Sequence, residues 1–220
     1  MSNWKKTTAG STETLDHYIS RHIDPEPEHL SQLWRATNLR TVHGRMASGH
    51  LQGRLLRMLV HMIRPHTILE VGTFSGYSAI SMAEGLEPGG QLYTFEVNDE
   101  MEDFTRQWID SSEVADRITF IIGDALTEAP RLGIAFDMAF IDGDKRNYCE
   151  YFEMTMQLLK PGGFILADNT LWDGHVVDHD YDFDQQTLGI QAFNDLVAGD
   201  QRVERVILPL RDGLTLIRKL

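Results

Sequence analysis

The sequence predicts an α/β fold: a mostly parallel sheet covered by helices on both faces and finished by an antiparallel hairpin. Three observations predict it. Helical periodicity alone fills the chain up to about residue 63, and short apolar runs then alternate with helical stretches. The last segment, 202–220, sets two apolar runs around a tight turn. Alternation of that kind marks parallel strands joined by right-handed crossovers, and the final pair marks a hairpin.

Each element follows from local pattern. Over residues 12–63, Leu30, Leu33 and Trp34, then Leu51, Leu55, Leu56 and Leu59, recur at three- and four-residue steps, with "PEPEH" as a stop and start, so two or three helices precede any strand. Strands are expected at "TILEV", "QLYTFEV", "RITFII", "FDMAFID" and "GGFILAD", with helices between them at about 77–86, 99–112, 146–159 and 187–199. In "RVERVILPLRDGLTLIRKL" the "RDG" turn joins two more strands. No repeat, low-complexity tract or linker interrupts the pattern. One domain over 1–220 is expected, with 1–45 as a helical extension within it.

Composition excludes several classes. A formal net charge of -13 would repel both a phosphate backbone and an anionic bilayer, so neither nucleic acid nor membrane is an expected partner. No window reaches the ~18 apolar residues of a membrane span, and a cytoplasmic protein is expected. The single cysteine, Cys149, can form no intrachain disulfide and reads as a buried or half-buried helix residue.

The turn "EVGTFSGYS" runs from the first strand into a helix and carries Gly72 and Gly76 in a G-x-x-x-G spacing. A dinucleotide fold would show G-x-G-x-x-G, whose middle glycine admits a pyrophosphate, so the NAD fingerprint is absent. Glu96, twenty residues past Gly76 at the end of the second strand, is placed to accept hydrogen bonds from both hydroxyls of a ribose. Glu70 adds a carboxylate suited to a cationic ligand, and "GDA" at 123–125 follows the third strand at the same edge. A nucleoside with a positive charge and no pyrophosphate fits, and S-adenosylmethionine matches best.

Beside this turn, at the same edge, Asp142 closes the fourth strand, and Asp168 with Asn169 closes the fifth. Two carboxylates and an amide oxygen are hard donors suited to magnesium, or to manganese or calcium, with coordination positions left for water and substrate. Without cysteine or histidine among them, zinc is disfavoured. Lys145, three residues past Asp142, swings back over the same rim; facing a divalent ion and a sulfonium, its protonated form is expected to be disfavoured, which would make it a base. The run "DHDYDFDQ" mimics a calcium loop but has Gln185 in place of the glycine and Gln191 in place of the bidentate glutamate, so a loop leading into a helix N-terminus is expected. Among the histidines, His175 is the one near enough in sequence to line a substrate entrance.

The motifs "RMASGHLQG", "ILEVGTFSGYSAI", "LYTFEVN", "GDA", "FIDGDKRNY", "LLKPGGFILADNTLWDG" and "LPLRDGLTLIRK", in this order over residues 40–220, resemble the cation-dependent, S-adenosylmethionine-dependent O-methyltransferases, such as the caffeoyl-coenzyme A and, more distantly, the catechol O-methyltransferases. The resemblance implies a Rossmann-like, seven-stranded methyltransferase fold and a homodimer. It implies Asp142, Asp168 and Asn169 as metal ligands and Lys145 as the catalytic lysine, with Asp142 shared between metal, catalysis and cofactor. It implies cofactor contacts at Met46, Ser48, Glu70, Gly72, Ser78, Glu96, Ala125 and Asp144, and Trp172 beside the acceptor. Glu96 stands where aspartate is common, and Gly143 where alanine is frequent, which is expected to loosen the turn. The reaction expected is methyl transfer to one hydroxyl of a vicinal dihydroxy aromatic small molecule. A nicotinamide-dependent oxidoreductase and an inactive nucleoside-binding scaffold are the alternatives; the missing middle glycine opposes the first, and the intact ligand set with Lys145 opposes the second.

Overall fold

The computed structural model describes residues 14–220. The start of the expected extension, residues 1–13, lies outside them. Helices α1 (Leu15–His22), α2 (Glu28–Arg40) and α3 (His50–Ile63) come before the first strand, as the periodicity predicts. Then follow β1 (Thr67–Val71), α4 (Tyr77–Ala83), β2 (Gln91–Glu96), α5 (Glu102–Asp110), β3 (Ile118–Ile122), α6 (Ala125–Arg131), β4 (Phe136–Ile141), α7 (Tyr148–Leu158), β5 (Leu159–Asp168), α8 (Gln185–Gly199), β6 (Val203–Leu208) and β7 (Leu214–Lys219).

The seven strands form one sheet in the order β3-β2-β1-β4-β5-β7-β6. Parallel pairing joins β3 through β5, while β7 runs antiparallel to both β5 and β6. Side chains alternate across it, as the two-residue period of a strand demands. Ala139 and Ile141 of β4 join the core with Tyr148, Phe152 and Phe193 beneath α7 and α8. Met138 and Phe140 face the other way, into the core with Leu30, Leu33, Leu56 and Ile80 beneath α2, α3 and α4. The N-terminal helix α2 is therefore built into the fold, with Leu30 and Leu33 fully buried. No helix among the described residues is long and apolar enough to cross a membrane.

Two elements depart from the sequence expectation. Helix α6 is absent from it, because the helix spans only seven residues and contains Pro130, which reads as a breaker; Asp124 caps its start by accepting from Leu126 N at 3.0 Å. Strand β5 begins at Leu159, through "KPGG", with a register irregularity against β4 between Phe136 and Met138. The acidic run divides as expected of a loop: a short 3-10 turn at His179–Tyr181, then Asp184 capping α8 by accepting from Thr187 N at 2.9 Å. Since β1 to β5 are parallel, their carboxyl ends share one edge, and Glu70, Glu96, Asp124, Asp142 and Asp168 are gathered there.

Candidate active site

The turn after β1 is shaped by its neighbours. Gly72 has φ +92°, and a Cβ there would lie 2.3 Å from the Asp142 carbonyl oxygen. Only glycine allows β1 and β4 to leave the sheet so close together. Glu96 stitches the turn: Oε2 accepts from Phe74 N at 2.7 Å and Thr73 N at 3.3 Å, and Oε1 accepts from Asn98 N at 2.9 Å. Glu70 lies deeper and fully buried, and neither carboxyl oxygen has a hydrogen-bond partner of good geometry. Burial is the main reason its pKa is raised to about 8; the nearby Ser78 and Thr94 hydroxyls offset part of that, while Asp142 and Glu96 add to it. An orphaned buried carboxyl is what a cationic ligand would satisfy.

The other expected cofactor contacts are spread around this turn. Ser78 is buried in the first turn of α4, and Ala125 is buried at the start of α6. Asp144 is engaged locally, accepting from Arg146 N at 3.1 Å and Nε at 2.9 Å; the Arg146 side chain and backbone hold its carboxyl below the usual range. Ser48 is buried with its carbonyl accepting from Arg211, whereas the Met46 side chain is exposed. At Gly143 the Tyr151 ring lies 2.8 Å from where a Cβ would stand, so the ring fills the space an alanine methyl would need.

On the reacting side, Lys145 is buried and its Nζ donates to Asp142 Oδ1 and to the Tyr148 hydroxyl, each at 2.8 Å. The Tyr148 hydroxyl in turn donates to the Asp168 carbonyl at 2.9 Å. Apart from any divalent ion or sulfonium, the chain's own groups shift the Lys145 pKa in both directions. Burial alone pulls it down, but the Asp142 carboxylate and Tyr148 outweigh burial and raise it above the ordinary lysine value. Asp168 is also buried: Oδ1 accepts from Asn169 N at 2.8 Å, and Oδ2 from Gln52 Nε2 at 2.5 Å. Burial first, then the charge of Asp142, raise its pKa to about 6. Two acids that resist sharing negative charge, beside the left-handed Asn169 (φ 57°), form a donor set of hard oxygens that a divalent ion would suit. Among the described residues no group of three or more His, Cys, Asp or Glu side chains is arranged for a metal, so such a site needs the Asn169 amide as its third donor.

Trp172 and His175 are brought to the same rim. The Trp172 ring centre is 5.9 Å from Lys145 Nζ, within cation-π range. His175 meets Trp172 edge-on at 6.4 Å and stacks on Tyr181 at 3.5 Å and 8°. The loop reaches this position with Trp172 and Asp173 both at positive φ, 45° and 51°. Cys149 lies half-buried on α7, and burial pushes its thiol pKa up, which suits no nucleophile.

Four contributors were not identified from sequence: Gln52, Tyr148, Gly189 and Arg211. Gly189 lets α8 press on the Lys145 backbone, since a Cβ there would lie 2.3 Å from the Lys145 carbonyl oxygen. Tyr148 carried a usable signal, a phenol three residues past Lys145. So did Gln52, an amide on the apolar stripe of α3.

Known proteins place this architecture. The O-methyltransferase family profile matches residues 19–220. A caffeoyl-CoA O-methyltransferase from Stellaria longipes is 32% identical over 98% of this chain and 94% of its own. A catechol O-methyltransferase from Niastella koreensis is 33% identical over 90% of each. The O-methyltransferase from Bacillus cereus, solved in complex with SAH, superposes with a TM-score of 0.86 at 30% identity, covering 93% of this chain and 96% of its own. With its seven-stranded sheet, its glycine turn and a match across nearly all of its described length, the chain belongs to the O-methyltransferase family.

Proposed function

We propose that this enzyme transfers the methyl group of S-adenosylmethionine to one hydroxyl of a vicinal dihydroxy aromatic, with a divalent cation held by Asp142, Asp168 and Asn169. The observation that carries this reading is the pair of buried Lys145 with half-buried Asp142 beside Asp168, one strand end away from the orphaned carboxyl of Glu70. When bound, the cation supplies Lewis acidity that lowers an acceptor hydroxyl from its usual pKa of ~10.

The chain's own residues do the rest. Glu70 offers negative charge to a cationic cofactor, and Glu96, already fixing the turn, keeps carboxylate lone pairs for a ribose diol. An ammonium has three N–H donors, and Lys145 spends two on Asp142 and Tyr148. The third is left for the phenolate oxygen of the acceptor, so Lys145 stabilises the nucleophile as a cation rather than drawing its proton as a free amine. Trp172 walls the acceptor side next to that ammonium. In the transfer a C–O bond forms as the S–C bond breaks, the sulfonium becomes a neutral thioether, and the hydroxyl proton leaves to solvent. The relatives named for caffeoyl-CoA and catechol, and the SAH seen in the Bacillus cereus enzyme, support this reading. The test is product analysis: with S-adenosylmethionine, magnesium and a 3,4-dihydroxyphenyl acceptor, one methyl ether should form per S-adenosylhomocysteine released. Thioether release without a methylated acceptor would refute it.

A further inference from the structure

Arg211 sits in the β6–β7 turn with φ 49°, in the left-handed region that favours glycine. Strain of that kind persists where the surroundings hold it. Here the Arg211 guanidinium reaches from an exposed turn to the Ser48 carbonyl and to Gln52 Oε1, the latter at 2.7 Å. Its second terminal nitrogen approaches the Ala47 carbonyl at 3.5 Å. Gln52 is buried, so its amide must spend its polar groups on protein partners. It does so in one sense only: Oε1 accepts from Arg211, and Nε2 donates to Asp168 Oδ2 at 2.5 Å. Turned over, the amide would set oxygen against carboxylate and N–H against guanidinium. Arg211, 43 residues beyond Asp168 in the sequence, thereby dictates which end of Gln52 faces the acid.

We infer that Arg211 and Gln52 act as one positioning relay that fixes the Asp168 carboxylate for a divalent cation and ties it to the Ala47–Ser48 segment. This rests on the reading of Asp168 as a cation ligand. Neither residue is expected to touch the reacting atoms. With Asn169 N on Oδ1 and Gln52 on Oδ2, the carboxylate is held by one donor on each oxygen, and its remaining lone pairs stay available at the rim. Loss of either relay member frees the carboxylate to rotate, and partners of this kind are typically worth about 10- to 100-fold in metal affinity.

The test uses manganese binding to the whole chain by calorimetry, in the absence of acceptor, for wild type, Arg211→Gly, Gln52→Leu and the double variant. Arg211→Gly suits the turn's φ and so keeps the fold even if Gln52→Leu is poorly tolerated. The relay predicts Kd for manganese raised about 10-fold or more in each single variant, with the double variant no worse than the weaker single, because both remove the same restraint. Melting temperature for Arg211→Gly should stay within about 4 °C of wild type. Unchanged manganese affinity in Arg211→Gly, or effects that simply multiply in the double variant, would overturn the relay while leaving the cation site standing. Failure of the wild-type protein to take up manganese at all would instead overturn the cation reading, and the relay with it.

Discussion

Gly72 and Asp142 touch backbone to backbone: the place a Gly72 Cβ would occupy is 2.3 Å from the Asp142 carbonyl oxygen. The glycine turn is thus required by strand packing before any cofactor arrives. Gly72→Ala should cost about 2 kcal/mol or more through both the clash and the positive φ, in ligand-free protein. Denaturant unfolding checks it. An unchanged midpoint would show that the turn can open and that the glycine serves only the cofactor.

Glu70 makes stability depend on pH in an unusual direction. With a folded pKa of about 8 against 4.5 for the free group, the folded protein keeps a proton that the unfolded chain has released. Stability from this group therefore falls as pH rises from about 4.5 to 8 and is constant above. Glu70→Gln should melt several degrees higher than wild type at pH 8 without ligand. The same substitution should weaken S-adenosylmethionine binding, and wild-type affinity should climb with pH toward 8 and then level off, because a cation favours the carboxylate. Equal melting of the two proteins at pH 8 would place the carboxyl in a far more solvated setting.

Much of this site was legible in the chain. Asp142, Asp168 and Asn169 stand at strand ends that apolar runs mark plainly, and Glu96 and Glu70 are found the same way. What sequence could not give is contact between distant segments: Gln52 and Asp168 lie 116 residues apart and Arg211 and Gln52 159 apart. The pairing of Lys145 with Asp142, three residues earlier, is legible in the spacing, whereas its second partner, the buried Tyr148 hydroxyl, needs the helix packed in place. Helix α6 escaped because two turns ending near Pro130 show no period.

Lys145→Met should lower turnover by ~100-fold or more while leaving cofactor affinity near wild type. As a persistent ammonium, Lys145 should add no kinetic limb between about pH 6 and 9, where a lysine acting as a free base would. Single-turnover transfer at the wild-type rate in the methionine variant would make this lysine a structural ion-pair partner only.

The loop that carries Trp172 and His175 into the site also bears Asp173, Asp178, Asp180 and Asp182, all exposed, on a chain of net charge -13. An uncharged or cationic dihydroxy aromatic should therefore be favoured over an acyl-coenzyme A acceptor with its phosphates. At low salt the ratio of kcat/KM should exceed ~10 and should shrink as the Debye length falls from ~30 Å at 0.01 M to ~8 Å at 0.15 M. A coenzyme A thioester used equally well at low salt would contradict it.

Initial rates in chelator and after its reversal test the cation-assisted transfer most directly, measured with a 3,4-dihydroxyphenyl acceptor and its 4-hydroxyphenyl analogue. Chelation should abolish methylation of the dihydroxy acceptor, and magnesium or manganese should restore it. The monohydroxy analogue should be a much poorer substrate throughout, and Asp168→Ala should reproduce the chelated state in a folded protein, since removing one of two mutually repelling acids relieves the ligand-free rim. Full activity in excess chelator, with equal rates for the two acceptors, would contradict a divalent ion at Asp142, Asp168 and Asn169 and leave a methyltransferase that works without one.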